Sequence, residues 1–422
     1  MSTDFERALR IGRPPNIVKL FPHSRALIVS GKFIDRGFRD RGGSICIAAN
    51  GRSHLVIRGA LQAAQRANAA LIVEIARSES TYCPVHFWNI ARQVDALMNE
   101  MGVTVPVAVH ADHYGIKKPE DVAPAKAEIP SLFDAGITSI AIDASHMPDD
   151  QNLLASVEVI RDVVPPWSGL ETEVGEIKGK SGLSTAEEAL FLIRGLNAHE
   201  IFPNWIALNN GTTHGIEASD EGIQVELTAE IHQALAPYGV SGAQHGTSGN
   251  SSDRLRAIAE QTRTTKANVA TALQMVAWGL KVNDYGNAIL DDDGNFIKMP
   301  NEGVTDELWA EMTAHAADQG WKGGDYKKLN LPFENRILGQ RRGVRERMAR
   351  RVETFVHEMI THVFNAGNSA EPVMAAILDA GGYDPGPTAS RIEDPADWTP
   401  EKIVERAAGI AGDKGPAGDF DD

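Results

Sequence analysis

Residues 44–53, S-I-C-I-A-A-N-G-R-S, join a short apolar, strand-forming run to a turn that separates two α/β folds. An open doubly wound sheet normally carries G-x-G-x-x-G in the turn after its first strand. The residues at that position, A-A-N-G-R-S (48–53), lack this pattern. The turn therefore argues against a dinucleotide-binding sheet and favours a closed parallel barrel.

The alternation of apolar runs with amphipathic segments continues along the chain, as expected of repeated βα units. Eight units over about 240 residues have the length of a (β/α)8 TIM barrel, so we predict this α/β fold. The predicted strands are 44–49, 70–75, 105–110, 137–143, 168–173, 204–209, 240–245 and 277–283. The predicted helices between them are 54–67, 86–101, 119–134, 151–163, 185–197, 226–236 and 251–260.

The pattern divides the chain into four parts. Residues 1–40 form an N-terminal arm, residues 41–300 the TIM-barrel catalytic domain, residues 301–382 a C-terminal helical extension and residues 383–422 a mobile acidic tail. The extension contains R-R-G-V-R-E-R-M-A-R-R (341–351), with six arginines. We interpret this stretch as a solvated or subunit-packing helix face rather than as a phosphate or nucleic-acid site.

The composition is that of a soluble globular protein: of 422 residues, 42% are hydrophobic and 23% charged. The formal net charge of −16 argues against a general nucleic-acid binder, which must neutralise phosphates. Cys46 and Cys83 are too few for a disulfide scaffold. With no signal-like N-terminus and no apolar run near the roughly 18 residues of a membrane span, we expect a cytoplasmic protein without a membrane partner.

Acid–base and metal-binding residues gather at the predicted strand ends. The active site of a TIM barrel lies at the C-terminal ends of its strands. Any one such residue is more often a packing residue, but coincidence over five consecutive strands indicates a site. Histidines and carboxylates converging from separate strands, without clustered cysteines, are typical of a catalytic Zn²⁺ with an open position. The residues are His110, Asp112, His113, Asp143, Glu171, Glu173, His214 and His245.

Two glycine-rich turns follow predicted strands at the same end of the barrel. They are H-G-T-S-G-N-S-S-D (245–253) and N-N-G-T-T-H-G (209–215). The first precedes a predicted helix, where free backbone N–H groups and the helix dipole favour an anion. In an acidic protein, these turns indicate a phosphorylated small molecule held by backbone donors.

Six short motifs resemble, in order and spacing, those of the class II, zinc-dependent ketose-bisphosphate aldolases, of which fructose-1,6-bisphosphate aldolase is the best-known member. The resemblance covers roughly residues 40–365. The motifs are H-A-D-H-Y (110–114), A-I-D-A-S-H-M-P (141–148), E-T-E-V-G (171–175), T-H-G (213–215), H-G-T-S-G (245–249) and K-V-N (281–283).

The resemblance implies roles for individual residues. It makes Asp112 the acid–base that handles the proton on the aldehyde-derived oxygen, and His110 a residue that orients its neighbours. The implied ligands of one Zn²⁺ are His113, His214 and His245, with Glu173 as a further ligand and Asp143 near a second, transient divalent ion. The implied substrate contacts are Asn50, Gly215, Gly246, Ser248, Asn283 and Arg336, with a monovalent cation at one phosphate.

The implied activity is reversible cleavage of a phosphorylated ketose through a zinc-stabilised enediolate, in a homodimer or larger homo-oligomer. Fructose 1,6-bisphosphate, giving dihydroxyacetone phosphate and glyceraldehyde 3-phosphate, is the default substrate. The chain departs from the family where Ala76 replaces the usual serine and where the loop E-I-K-G-K-S-G (176–182) offers Glu176 as its one carboxylate. The ketone-side base therefore stays open, as does another sugar such as tagatose or sedoheptulose bisphosphate.

Three other interpretations compete with this one. A Schiff-base aldolase would use Lys281, on the predicted eighth strand, and would not need the histidines. A metal-dependent hydrolase usually carries H-x-H on its first strand, and the strand at 44–49 has none. A non-catalytic family homologue would keep the ligands but not the activity.

Overall fold

Eight parallel strands close into a barrel in the computed structural model, which describes residues 3–175, 182–211, 222–247, 250–283 and 286–410. Each strand pairs with its sequence neighbour, and the first pairs with the last. The predicted TIM barrel is confirmed. The strands are β1 Cys46–Asn50, β2 Leu71–Ala76, β3 Val107–Gly115, β4 Ser139–Asp143, β5 Gly169–Val174, β6 Trp205–Leu208, β7 Ser241–Gln244 and β8 Thr264–Val269.

Helices cover the outside of the barrel and continue beyond it. In the described segments, no helix is both long and apolar enough to cross a membrane. The helices are α1 Asp4–Ile11, α2 Pro15–Leu20, α3 Gly31–Arg41, α4 His54–Arg66, α5 Ile90–Met101, α6 Val122–Asp134, α7 Asp149–Val163, α8 Ala186–Ala198, α9 Val225–Ala234, α10 Ser252–Gln261, α11 Thr271–Trp278, α12 Asp306–Asp318, α13 Asn330–Leu338, α14 Arg342–Glu358, α15 Ala370–Ala380 and α16 Pro400–Ala407.

The N-terminal residues do more than precede the barrel, because α3 lies against the N-terminal ends of its strands. At Gly31, a Cβ would lie 2.6 Å from the hydroxyl of Ser139, at the start of β4. Farther along α3, the buried Asp35 accepts a hydrogen bond from Thr265 at the start of β8. This helix therefore closes the bottom of the barrel and leaves the C-terminal end as the open one.

The eighth strand is not where the sequence predicts it. The prediction of a strand at 277–283 is wrong, since these residues include the end of α11 and a segment with isolated bridges from Leu280 to Lys298 and from Val282 to Ala288. Strand β8 is T-T-K-A-N-V, Thr264–Val269. The lysine and asparagine in this strand make the segment too polar to be recognised as a strand from its hydropathy.

Helix α14 joins the barrel to a second apolar cluster formed by α12 and α13 around Trp278 and Trp309. It also packs along α4, where Gly59 permits a close approach. A Cβ at Gly59 would lie 2.5 Å from the backbone oxygen of Ala349 on α14. The arginine-rich stretch of the sequence thus belongs to a helix that is packed on one side.

Residues 383–410, which the sequence predicts to be part of a mobile tail, pack against the outer helices of the barrel. Trp398 is 2% exposed, and its ring lies over Phe191 with 5.5 Å between ring centroids. Glu393 pairs with Arg194 of α8 at 2.8 Å. Packing of the tryptophan outweighs the polar composition of this segment, and residues 411–422 lie outside the described part of the chain.

Candidate active site

An irregularity in β3 brings two adjacent residues to the same side of the strand. Successive side chains of a strand normally point to opposite faces, so Asp112 would share a face with His110 but not with His113. The pairing of β3 with β4 shifts register between Ala111 and Tyr114, and His113 has a φ of +44°. This left-handed conformation is uncommon outside glycine and often accompanies function. It places the His113 ring 3.9 Å from the Asp112 carboxylate.

His245, the residue after β7, lies edge-on to His113 with 4.4 Å between ring centroids. Its Nε2 lies 2.7 Å from Oε1 of Glu171 on β5. With the Nε2 proton donated to this carboxylate, the lone pair of Nδ1 is available. Within the described residues, Nδ1 is buried and has no hydrogen-bond partner.

Three carboxylates surround the two histidines at the mouth of the barrel. Nδ1 of His113 lies 3.0 Å from Glu173 and 3.4 Å from Asp143. Burial alone would lower the pKa of His113, but the charges of Glu173 and Asp112 outweigh it and raise that pKa well above its usual value. Burial and the neighbouring Asp143 raise the pKa of Glu173. The site thus concentrates negative charge that a cation would offset.

The donor set fits a divalent metal ion. Potential ligand atoms of Asp112, His113 and His245 all lie within 4.8 Å of one another, as do those of His113, Asp143 and Glu173. The bond from Glu171 fixes the His245 ring, as carboxylates commonly do for metal-binding imidazoles. Nδ1 of His245, buried and without a hydrogen-bond partner among the described residues, is an atom that an ion would satisfy.

Asp112 is oriented by a residue that the sequence analysis missed. The amide nitrogen of Asn268 donates to both carboxylate oxygens of Asp112, at 3.1 and 3.0 Å. Asn268 lies on β8, within K-A-N (266–268), which has the same K-x-N pattern as the K-V-N assigned from the sequence. The asparagine of the eighth strand is therefore Asn268 and not Asn283. The K-x-N pattern occurs twice in the sequence, and its first occurrence could have indicated the correct strand.

Lys266, also missed, is fully buried beneath this site. Its amino group lies 2.8 Å from Glu171, 3.2 Å from Glu74 and 3.5 Å from Asp112. Burial would lower the pKa of Lys266, but the carboxylates raise it. Lys266 therefore remains a cation and forms ion pairs with all three of these acidic side chains.

His110 occupies the supporting position that the sequence predicts. Its Nδ1 lies 2.8 Å from the hydroxyl of Ser139, and its Nε2 lies 3.5 Å from Glu171. Burial, followed by the charge of Lys266, lowers the pKa of His110 to about 3. A neutral ring packed between strands suits orientation of Glu171.

The predicted substrate contacts are only partly brought together. Asn50 ends β1 and donates to Glu79 at 2.5 Å, while its amide oxygen is buried without a partner in the described segments. Gly246 follows His245 with a φ of +58°. Asn283 lines a cleft outside the barrel interior, and exposed Arg336 pairs with Glu311 at 2.7 Å. His214, Gly215, Ser248 and Glu176 lie outside the described residues.

A parallel barrel with histidines and carboxylates converging at its mouth defines a class of barrel enzymes suited to metal-assisted chemistry. The model of the family "Fructose-bisphosphate aldolase class-II" matches residues 40–319, and the chain belongs to this family of aldolases. Fructose-bisphosphate aldolase of Streptococcus pneumoniae (TIGR4) is 28% identical over 224 residues, covering 51% of this chain and 69% of that protein. The Staphylococcus aureus (Mu50) enzyme is 28% identical over 131 residues, covering 31% of this chain and 42% of that protein.

Solved structures share the fold at lower identity. The YdjI aldolase of Escherichia coli K12 superposes with a TM-score of 0.54 at 15% identity, covering 81% of this chain and 99% of that one. A protein of Coccidioides immitis described as a putative fructose-1,6-biphosphate aldolase gives 0.54 at 17% identity, covering 80% and 96%. These similarities show that the fold is shared over about 80% of the chain.

Proposed function

We propose that the protein catalyses reversible aldol cleavage of a phosphorylated ketose with the help of Zn²⁺, fructose 1,6-bisphosphate being the default substrate. The observation that carries this proposal is the pairing of His113 and His245 beside Asp112 at the barrel mouth. Asp112 would transfer a proton beside His113 and His245, which would hold a cation. Membership of the class II family supports the same chemistry.

His113 and His245 would hold the ion, together with His214, and Glu173 would be a further ligand. When bound, the ion would supply positive charge that offsets the negative charge developing on the ketose oxygen during cleavage. Asp143 would serve a second, transient divalent ion, since it lies 3.4 Å from His113. A monovalent cation beside the substrate phosphate completes the proposed set.

Asp112 would exchange the proton of the aldehyde-derived oxygen, as a base in cleavage and as an acid in condensation. Burial would raise its pKa, but His113 and then Lys266 outweigh this and lower it, so the group starts as a carboxylate. The two bonds from Asn268 leave the carboxylate one orientation. Backbone groups around Gly246, with Ser248 and Gly215, would receive a substrate phosphate, while Asn50 would contact the sugar.

A Schiff-base mechanism is disfavoured by the position of the lysines. Lys281 is not on a barrel strand, because β8 ends at Val269. Lys266 does lie on β8, but it is fully buried between carboxylates that keep it protonated. A Schiff base needs an accessible, unprotonated amine.

The size of the active assembly is part of the proposal. We expect a homodimer or larger homo-oligomer, with Arg336 reaching a second substrate phosphate. The exposure of Arg336, 59% of its side chain, is compatible with this role. Light scattering of the zinc-loaded protein would give the oligomer mass, and a monomer would contradict the expectation.

A cleavage assay over a panel of ketose phosphates tests the activity. Fructose, tagatose and sedoheptulose bisphosphates and the matching monophosphates would be compared with and without a chelator, with borohydride trapping in parallel. We expect cleavage of at least one bisphosphate, its loss on chelation and its recovery with Zn²⁺. Full activity of metal-free protein, or a borohydride-trapped lysine adduct, would contradict the mechanism. Zinc-loaded protein that cleaves none of the panel would favour the non-catalytic homologue.

A further inference from the structure

A second cleft, of about 680 Å³, lies outside the barrel between α10, α11 and α14. One wall carries Arg347 of α14 and, about one turn further on, the adjacent Arg350 and Arg351, and Arg256 of α10 lines the same cleft. The floor is apolar, formed by Val276, Val282, Phe355, Met359 and Val363. The cleft therefore combines an apolar base with a guanidinium rim.

The guanidinium groups differ in how far protein carboxylates neutralise them. Arg351 pairs with Glu302 at 3.2 Å, and Arg256 pairs with Asp253 at 3.0 Å. Arg347 donates to the backbone oxygen of Gly303 at 3.3 Å. Its Nε is buried without a partner among the described residues. Among the described residues, Arg347 thus has no carboxylate as an ion-pair partner, in a chain whose net charge is −16.

Two further observations mark this region as rich in positive charge. Within the described segments, Arg350 forms no ion pair within 4.0 Å, and Glu346 interacts with its charge only at longer range. Burial lowers the pKa of Lys298. Asp306 opposes this effect, and repulsion from Arg347 and Arg351 adds to it. On another face of α14, by contrast, Arg342 is paired with Glu346. Arg347 and Arg350 are thus the arginines of the cleft for which the described residues show no ion pair with a carboxylate.

We propose that this cleft binds a polyanion joined to a planar apolar body, the chemistry of a nucleoside diphosphate or triphosphate. Guanidinium groups bind phosphate oxygens in pairs of hydrogen bonds, and those of Arg347 and Arg350 form no ion pair with a carboxylate among the described residues. Phe355 and the aliphatic floor would bury a base. The volume lies within the range usual for small-molecule sites. A sugar phosphate would leave the apolar floor uncovered.

The proposed site is separate from the candidate active site. Asp112 and the paired histidines lie at the barrel mouth, whereas the cleft is walled by the outer helices. The proposal does not depend on the aldolase assignment. Its test must therefore keep ADP out of the barrel.

Calorimetric titration of the zinc-loaded, full-length protein with ADP is the experiment. Saturating 2-phosphoglycolate would occupy the barrel, while inorganic pyrophosphate and adenosine probe the two halves of the ligand. We expect ADP to bind more tightly than pyrophosphate and adenosine to bind least. Affinity for ADP should fall with added salt, because the contacts are ionic.

Variants on α14 distinguish ADP binding in the cleft from non-specific electrostatic attraction of ADP to the protein. The double variant Arg347→Gln/Arg350→Gln should weaken ADP binding at least about tenfold, since it removes two charge-assisted contacts. The matched control Arg342→Gln removes an arginine from the same helix but outside the cleft, and should bind ADP like the wild type. Phe355→Ala should weaken ADP but not pyrophosphate. Thermal melting would verify that each variant is folded.

Three results would overturn the proposal: no ADP binding, equal binding by the double variant, or displacement of ADP by 2-phosphoglycolate. If sedimentation showed a second copy of the chain covering the cleft, ADP would not bind, and the arginines would belong to a subunit interface. Equal weakening by Arg342→Gln would also count against it.

Discussion

At the scale of single residues, the two described histidines of the site are held in opposite ways. Nε2 of His245 is hydrogen-bonded to a carboxylate, and its Nδ1 has no partner in the described part of the chain. His113 faces carboxylates from both Glu173 and Asp143. The arrangement at His245 keeps a nitrogen lone pair available for an ion, and the carboxylates around His113 stabilise positive charge. Both depend on Glu171 and Glu173, which lie two residues apart and therefore share the inner face of β5.

Asp112→Asn tests the proton-transfer role. The amide keeps the shape of the side chain but cannot take up a proton, so kcat should fall about 10²- to 10⁴-fold. Zinc content should not change, since His113 and His245 are intact. Steady-state cleavage kinetics and metal analysis of the same sample check both points. Turnover close to that of the wild type would assign the proton to another group.

Lys266→Met tests the buried cation. Its removal leaves Glu171 and Asp112 without their shared counter-charge, which should cost about 3–5 kcal/mol of folding free energy. The double variant Lys266→Met/Glu74→Gln removes a carboxylate as well and should recover part of the loss. Urea unfolding of the three proteins measures this. Equal stability of the wild type and Lys266→Met would refute the role.

At the scale of the elements, the sequence predicts the barrel because most strands are buried on both faces and therefore read as apolar runs. The first seven predicted strands overlap β1 to β7. The eighth fails because its inward-pointing Lys266 and Asn268 are polar. They are polar because they contact carboxylates inside the barrel, a condition visible only after folding.

The site follows the same logic. Asp112 and His113 were predictable from their place at a strand end, but the left-handed turn that unites them was not. Lys266 and Asn268 were missed along with their strand. A prediction of strands from hydropathy is weakest where strands carry the chemistry.

Gly59→Ala tests the packing of α4 on α14. In an isolated helix, alanine would be the more favourable residue by about 1 kcal/mol. Here its Cβ would lie 2.5 Å from the backbone oxygen of Ala349, so we expect a loss of about 1–3 kcal/mol. Gly343→Ala, near the start of α14 with open space around it, is the control and should not destabilise. Denaturant midpoints compare the two, and a stable Gly59→Ala protein would contradict the close approach.

At the scale of the whole molecule, metal binding should stabilise the fold. Zinc that binds the native state alone adds about 2.7 kcal/mol at one hundred times its Kd. Melting in increasing free zinc should therefore show a rising Tm. His245→Ala should need more zinc for the same shift and retain less metal after dialysis, whereas exposed His23→Ala should match the wild type. A Tm independent of zinc would remove the metal from the account.

Acid should destabilise the protein through His232, a group remote from the mouth. Burial lowers the pKa of His232 from 6.5 to about 4. The unfolded chain therefore takes up a proton before the native protein does, so its contribution is complete above pH 6.5 and declines below it. Between pH 7.5 and 5.0 the loss is about 2 kcal/mol. Urea unfolding of metal-free wild type and His232→Gln would show it as a difference in pH slope, and parallel slopes would contradict it.

The irregular turn in β3 has a consequence for motion. Asp112 and His113 are joined by one peptide bond, so their Cα atoms stay about 3.8 Å apart however the surrounding loops move. Opening and closing of the barrel mouth would move both residues together. Such motion would change the access of a substrate to the site without changing the spacing of the two Cα atoms. Covalent geometry thus keeps the spacing of Asp112 and His113 constant, and the left-handed backbone angle at His113 brings both side chains to the same side of the strand.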